Sequence, residues 1–431
     1  MILSWLEKAF FAITLFVATG AVLPLILQDS GVGPDPDGSA GIRAIWTGIY
    51  LAAGLLFVVR WQEVRPLLAR QKWLVALLLL AALSVLWSVA PATTGRRAIA
   101  LVGTTMVGLL LAARLGIDGT LRLTGQALLA ATILSLFFVV ALPHLGIATG
   151  VHEGAWQGAF NHKNQLGLRM ALAGLTFFVL AREGGRRSWL WWIGFALALL
   201  LLYKSRSASA LVVLTTTIAA YGVVRVARLD YRLLLAVIIF LGLLAAGSGY
   251  WLINNYEAVL AALGREPTLT GRTLLWMVVL GEIRERPWLG YGYGGYWLGW
   301  QGPSALVWQL VGWMPPSAHN GYLDAALDLG IAGLVIAMAG IGGALAREVV
   351  GLRSARTPAQ RWPVLFLLLY LVYNAVESIL VRRNNLLWIL CVAVAAGARA
   401  GAQPSAVADS RLSVPQPLDP EGSLRHATST G

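Results

Sequence analysis

The sequence predicts an all-α integral membrane protein with about twelve transmembrane helices and one large loop on the outer side. Three observations predict it. Of the 431 residues, 58% are hydrophobic and 12% charged, about half the charged share of an ordinary soluble chain. Apolar runs of about 20 residues recur along the sequence, the length a helix needs to cross the hydrocarbon core. The short alternating segments of a β-barrel are missing, and backbone in lipid must close its own hydrogen bonds, so the runs are helices.

Taken in order, the predicted spans are 5–28, 42–60, 72–90, 97–115, 123–143, 163–181, 189–203, 207–225, 233–253, 319–345, 363–381 and 385–400. The first carries only Lys8 ahead of its apolar run and lacks a clear small-residue cleavage site, so it reads as an uncleaved span. With the N-terminus in the cytoplasm, 20 of the 33 Lys and Arg residues fall on the cytoplasmic side, as the positive-inside rule requires. This orientation explains the net charge of +13 without nucleic acid, which is not expected as a partner. It also places both termini in the cytoplasm. Four regions follow: N-terminal helices over 1–253, a large outer-side loop over 254–318, C-terminal helices over 319–400, and a tail over 401–431. The tail is rich in Pro, Ser, Gly and Asp and is expected to be disordered. The large loop carries a predicted amphipathic helix, Thr273–Arg286, with Leu274, Leu275, Met277, Val278 and Ile283 among its apolar positions.

Two textual matches carry no chemistry. Gly290-Tyr291-Gly292-Tyr293-Gly294-Gly295 fits a dinucleotide fingerprint but lacks the βαβ setting that fingerprint needs. Asp35-Pro36-Asp37 resembles a metal-holding aspartate pair but sits in a short outer loop. No metal site and no cofactor are expected, since no grouping has credible ligand spacing.

The informative residues are basic and lie on the outer side. Arg43, Arg96, Arg97, Arg284 and Arg286 each read most simply as snorkelling to headgroups. Four clusters exceed that reading: Asn161-His162-Lys163-Asn164-Gln165, Lys204-Ser205-Arg206-Ser207, Gly271-Arg272-Thr273, and Ala318-His319-Asn320-Gly321-Tyr322 followed by Asp324 and Asp328. Asn320, Asp324 and Asp328 are spaced to share one helical face. A polar stripe in the eleventh span, Tyr370, Asn374 and Glu377, is followed by Arg382 and Arg383. Charges near or within spans tend to mark substrate sites, and arginines favour phosphate or diphosphate. Trp288, Tyr291, Tyr293, Tyr296, Trp297 and Trp300 either stack on sugars or form an interface belt.

The Arg206 cluster, Gly271-Arg272-Thr273 with Trp276, Arg286-Pro287-Trp288-Leu289-Gly290-Tyr291-Gly292 and His319-Asn320-Gly321-Tyr322-Leu323 followed by Asp328-Leu329-Gly330-Ile331-Ala332-Gly333 resemble the O-antigen ligase and Wzy-type polymerase superfamily. The resemblance runs in order over about 156–335. Phe160-Asn161-His162-Lys163-Asn164-Gln165-Leu166-Gly167 is similar to the exopolysaccharide-polymerase branch. The family usually has glutamate where this chain has Asp328.

The resemblance implies a metal-independent glycosyltransferase acting at the periplasmic face of a bacterial inner membrane, which makes the 254–318 loop periplasmic. The donor it implies is a glycan on undecaprenyl diphosphate, and the acceptor is lipid A-core for a ligase or another lipid-linked repeat for a polymerase. It implies that Arg206 and Arg272 bind diphosphate. His319 is implied to position or deprotonate the acceptor hydroxyl, or to steady the leaving group. Lys163, His162, Asn164, Lys204, Asn320, Tyr322, Glu377, Arg382 and Arg383 complete the candidate substrate-binding set. The rival reading is a transporter or flippase for an anionic lipid-linked sugar, for which many spans and intramembrane charges are equally expected.

Overall fold

The computed structural model describes residues 2–22, 39–226 and 270–397. The predicted span 233–253, the first part of the large loop and the tail 401–431 lie outside the described residues. The described residues all fall in one compact unit.

The described chain is helical, with no strand among the described residues and a single antiparallel bridge, Ile147 to Trp156. The helices run α1 Ile2–Thr19, α2 Ala40–Val59, α3 Trp61–Arg70, α4 Lys72–Leu83, α5 Pro91–Ala141, α6 Lys163–Glu183, α7 Ser188–Lys204, α8 Ala208–Val226, α9 Thr270–Glu285, α10 Ser304–Val311, α11 Gly321–Gly351, α12 Trp362–Asn374 and α13 Leu386–Gly397. Four of them, α2, α5, α6 and α11, are long and apolar enough to cross a membrane, and α3 with α4 makes a fifth if that bent pair is one span. The protein is a multi-pass membrane protein.

Local sequence explains where the helices break. The 51-residue α5 contains the predicted span 97–115 and all but the last two residues of 123–143, and the backbone leaves helical geometry between them at Gly116, φ 60°. In α11 the same happens at Gly330, φ 68°. There a Cβ would collide with the Trp288 carbonyl, so only glycine lets the 288–290 turn sit against the helix. The connection after α2, between the predicted spans 42–60 and 72–90, is not an extended loop. It is helical instead: α3 buries Val64 and meets the next helix at 91°.

Helix α6 occupies the centre, with 83% of its apolar window buried, and α7, α8, α5 and α12 pack around it. Helix α13 is buried almost throughout. Lipid is as apolar as leucine, so close van der Waals packing rather than water exclusion holds these helices together. One end of the bundle is tied by a four-charge cluster. Glu7 of α1 meets Arg60 at 2.5 Å and Arg114 at 3.0 Å, and Arg114 also meets Glu63 at 2.5 Å. The opposite end collects the starts of α6, α8, α9 and α11, the end of α7, and the loop between α12 and α13. Every described candidate site residue falls at this second end.

The segment from α9 to the start of α11 has its own small apolar cluster, which includes Leu275, Val279, Tyr291, Tyr296, Trp297, Val307 and Leu327. The inward face of α9 is Leu275 and Val279, one turn apart, whereas Leu274 and Met277 point outward. Of the six loop aromatics, only Trp288 and Trp300 are exposed. Tyr291, Tyr293, Tyr296 and Trp297 are buried, so neither the sugar-stacking nor the belt reading applies to them. Two of them use their polar atoms internally: the Tyr293 hydroxyl donates to the Val381 carbonyl at 2.8 Å and the Trp297 indole to Asp324 at 2.8 Å.

Candidate functional site

Helix α12 ends at Asn374, seven residues before the predicted span end at 381. The Asn374 side chain accepts from the Ile379 amide at 3.2 Å and donates to the Tyr370 carbonyl at 2.8 Å, while the Tyr370 hydroxyl donates to the Ile379 carbonyl at 3.1 Å. These side chains satisfy backbone groups the helix would otherwise pair, so the chain can unwind within the protein. The expected polar stripe is therefore split. Tyr370 and Asn374 are fully buried structural residues, and Glu377 sits on the unwound loop beyond them.

That loop carries the Glu377 carboxylate to three other elements. Its Oε2 lies 3.3 Å from His319 Nδ1. Its Oε1 lies 3.6 Å from an Arg272 nitrogen and accepts from the Asn164 side-chain Nδ2 at 3.5 Å. The second arm of the Arg272 guanidinium donates to the Val376 carbonyl at 3.1 Å. Arg272 thus grips the loop with two prongs from the first turn of α9.

His319 is held in the left-handed region, φ 49°, which costs on the order of 1–3 kcal/mol for a residue other than glycine. The neighbouring backbone is pinned on every side. The Ala318 amide donates to Asp324 at 3.0 Å, and the Ala318 carbonyl accepts from the Trp276 indole at 2.8 Å. The Asn320 amide donates to the Ser378 hydroxyl at 3.2 Å. The Asn320 side chain accepts from the Tyr322 and Leu323 amides, capping α11. The imidazole stacks on Trp313, with ring centroids 5.9 Å apart. Of the predicted set, Asn320 is therefore a cap, Tyr322 ties its hydroxyl to the Leu371 carbonyl at 2.7 Å, and Asp324 is a buried anchor for the His319 turn.

The α6 entrance lies beside this centre. His162 caps α6, its Nδ1 accepting from the Asn164 amide at 3.1 Å. Its ring stands edge-on to His152 at 5.4 Å. Burial, and then the charge of His152, push the His162 pKa below its usual 6.5, and His319 and Glu377 are close enough to act on it too. Beyond it, Lys163 is within electrostatic range of Arg206.

Arg206 forms the turn between α7 and α8, again at positive φ, 52°. Ser205 braces that turn, donating to the Leu202 carbonyl at 2.6 Å and accepting from the Ser207 amide at 3.3 Å. Arg206 donates to the Glu153 carbonyl at 3.3 Å, and Lys204 lies over the Trp156 ring at 5.6 Å. Arg206, Lys204 and Trp156 line a cavity of about 400 Å³. Arg382 and Arg383 do not join this group. They line a separate small cavity with Arg97, Asp324 and Asp328.

Sequence reasoning missed Trp313 and Ser378, which contact the His319 turn directly. Neither stands in a recognisable motif, and only their folded positions reveal them.

The fold and site define a membrane-embedded protein whose basic and imidazole side chains gather at one end of a helical bundle. Residues 193–338 match the family described as O-antigen ligase. The chain is also 28% identical over 303 residues to the exopolysaccharide production protein ExoQ of Rhizobium meliloti (strain 1021), covering 65% of this chain and 66% of that protein, just under two thirds of its length. Both similarities support the O-antigen ligase and Wzy-type family, on its exopolysaccharide side.

Proposed function

We propose that the protein is a glycosyltransferase of polysaccharide biosynthesis that moves a glycan from undecaprenyl diphosphate to an acceptor hydroxyl at the periplasmic face of the inner membrane. The observation that carries this reading is the convergence of His319, Arg272 and Asn164 on the single carboxylate of Glu377. The similarity to an exopolysaccharide production protein favours a growing or lipid-linked glycan as acceptor, hence a polymerase, over lipid A-core.

In this reading the acceptor oxygen attacks the anomeric carbon and the bond to the diphosphate oxygen breaks, its electron pair leaving with the lipid diphosphate. Glu377 holds the Nδ1 proton of His319 and leaves Nε2 to take the acceptor hydroxyl's proton. Arg206 and Arg272 offer planar donors to the diphosphate as its charge develops. The leaving group is already stable, so orientation and charge neutralisation supply the catalysis, and arginines do this without a metal.

The test uses purified protein in a neutral detergent with a synthetic lipid-diphosphate glycan and no ion gradient. Release of lipid diphosphate together with a lengthened glycan is expected. Movement of the intact lipid across a vesicle bilayer, with no glycan consumed, overturns the reading in favour of a flippase. Reporter fusions near Pro303 should give a periplasmic signal and fusions at Gly184 a cytoplasmic one, and the reverse pattern removes the site from the periplasm.

A further inference from the structure

A third basic cavity lies between α2 and α5, lined by Arg43, Arg96, Arg97 and Arg383 and with a volume of about 320 Å³. Its lining shares none of the residues of the Arg206 cavity, and Arg97 and Arg383 are common to it and to the small cavity beside Asp324 and Asp328. Three separate elements bring these guanidinium groups together: the first turn of α2, the second turn of α5, and the loop leading into α13.

The cavity is graded along its length. On α2, Arg43, Trp46, Thr47, Tyr50 and Leu51 follow one another at helical spacing and all line it. On α5, Arg96 is followed by Ile99 and Ala100 on the same wall. Charge therefore sits at the helix ends, aromatic side chains come next, and aliphatic ones lie deepest. The aliphatic wall faces away from the protein: Leu51 is 72% exposed and Ile99 69%, on helices apolar enough to span a bilayer. A charged end opening onto a bilayer-facing aliphatic wall has the complementarity of a lipid, headgroup first and chain below.

The cavity is also built rather than incidental. Arg97 is buried and donates to the Gly294 carbonyl, which fixes its position from the α9–α10 loop. At the base, the Tyr50 hydroxyl bonds the Asn384 side chain, and the Asn384 amide donates to Thr104 at 3.0 Å. Snorkelling arginines reach for whatever headgroup passes, whereas these are gathered from three elements around one volume and partly fixed in place. A planar guanidinium pairs with two phosphate oxygens at once, so a phosphate group matches several such donors better than a carboxylate or a neutral headgroup does.

We propose that this cleft binds the phosphate headgroup of an anionic membrane lipid, with the lipid chain lying along Leu51 and Ile99. The site does not depend on the transferase reading.

The experiment is native mass spectrometry of the full chain in a neutral detergent, titrated with dioleoyl phosphatidic acid, dioleoyl phosphatidylcholine or inorganic pyrophosphate. The wild type should retain phosphatidic acid in preference to phosphatidylcholine. The double variant Arg43→Gln/Arg96→Gln should lose that preference by about tenfold, roughly what one or two charged hydrogen bonds supply. Arg186→Gln/Arg187→Gln, at the exposed turn between α6 and α7, should keep it. Ile99→Trp, which fills the chain wall and keeps every arginine, should weaken phosphatidic acid binding and leave pyrophosphate binding unchanged. It decides the matter if the double variant does not fold. Equal lipid retention in the wild type and the cleft variants overturns the proposal. So does an equal loss in the Arg186/Arg187 variant, or displacement of the lipid by pyrophosphate at matched concentration, which would make this a site for free phosphate.

Discussion

His319 and Glu377 are 58 residues apart in sequence, yet Nδ1 of one lies 3.3 Å from Oε2 of the other. Neither residue belongs to a regular helix. His319 sits in a strained turn just before α11, and Glu377 on the unwound loop after α12. The carboxylate therefore fixes which way the imidazole points, as a buried acid does for a general-base histidine elsewhere. Replacing Glu377 with Gln should lower single-turnover glycan transfer by about 10–100-fold. His319→Ala should lower it by about 10²–10⁴ with donor affinity largely kept. If Glu377 acts only through His319, the double variant should be no slower than His319→Ala alone. An additive loss in the double variant assigns Glu377 a separate role.

Arg272 is expected to tolerate no other cation. Its guanidinium contacts the Val376 carbonyl at 3.1 Å and Glu377 at 3.6 Å through different nitrogens, a fork that the single ammonium of lysine does not reproduce. Arg272→Lys should fall close to Arg272→Ala in transfer rate. Wild-type turnover in Arg272→Lys would reduce the residue to a source of general positive potential.

The His162 cap makes the α6 entrance sensitive to acid. Its folded pKa lies below 6.5 because burial and His152 disfavour the charged ring. The cap also needs Nδ1 unprotonated to accept from Asn164. The stability this contributes is present in full above pH 6.5 and is lost as the pH falls below it, because the unfolded chain takes up the proton first. Thermal unfolding at pH 7.5 and pH 5.5 should show a larger drop for the wild type than for His162→Asn, which keeps a cap acceptor that does not titrate. Equal drops would remove His162 from the pH response.

Asn320 accepts from two amides at the start of α11. Asn320→Ala should cost about 1 kcal/mol of stability, and Asn320→Ser only part of that. The measurement is a melting curve in detergent. A serine variant no better than alanine would show that the bond to the Ala375 carbonyl, not the cap, is the important contact.

Transfer should survive excess EDTA, because arginines are assigned the charge neutralisation that a divalent ion supplies in other transferases. Activity lost to chelation and restored by Mg²⁺ or Mn²⁺ would require a different account of diphosphate binding.

The sequence alone determined that the chain is helical and crosses a membrane, because run length and the obligation to pair backbone groups in lipid are local facts. It also marked His319, Arg272, Arg206 and the 161–165 cluster, since charges near apolar runs are conspicuous wherever they fold. Three things were decided only in the tertiary structure. Glu377 reads as one position on a helical stripe until Asn374 and Tyr370 pair with the backbone of Ile379 and unwind the helix before it. The loop aromatics Tyr293 and Trp297 read as a surface until Val381 and Asp324 accept their hydrogen bonds. Arg382 and Arg383 read as part of one basic site with Arg206, and the fold sends them to a different cavity. Each depends on a partner distant in sequence, and residue spacing along a chain carries no record of which helix ends will meet.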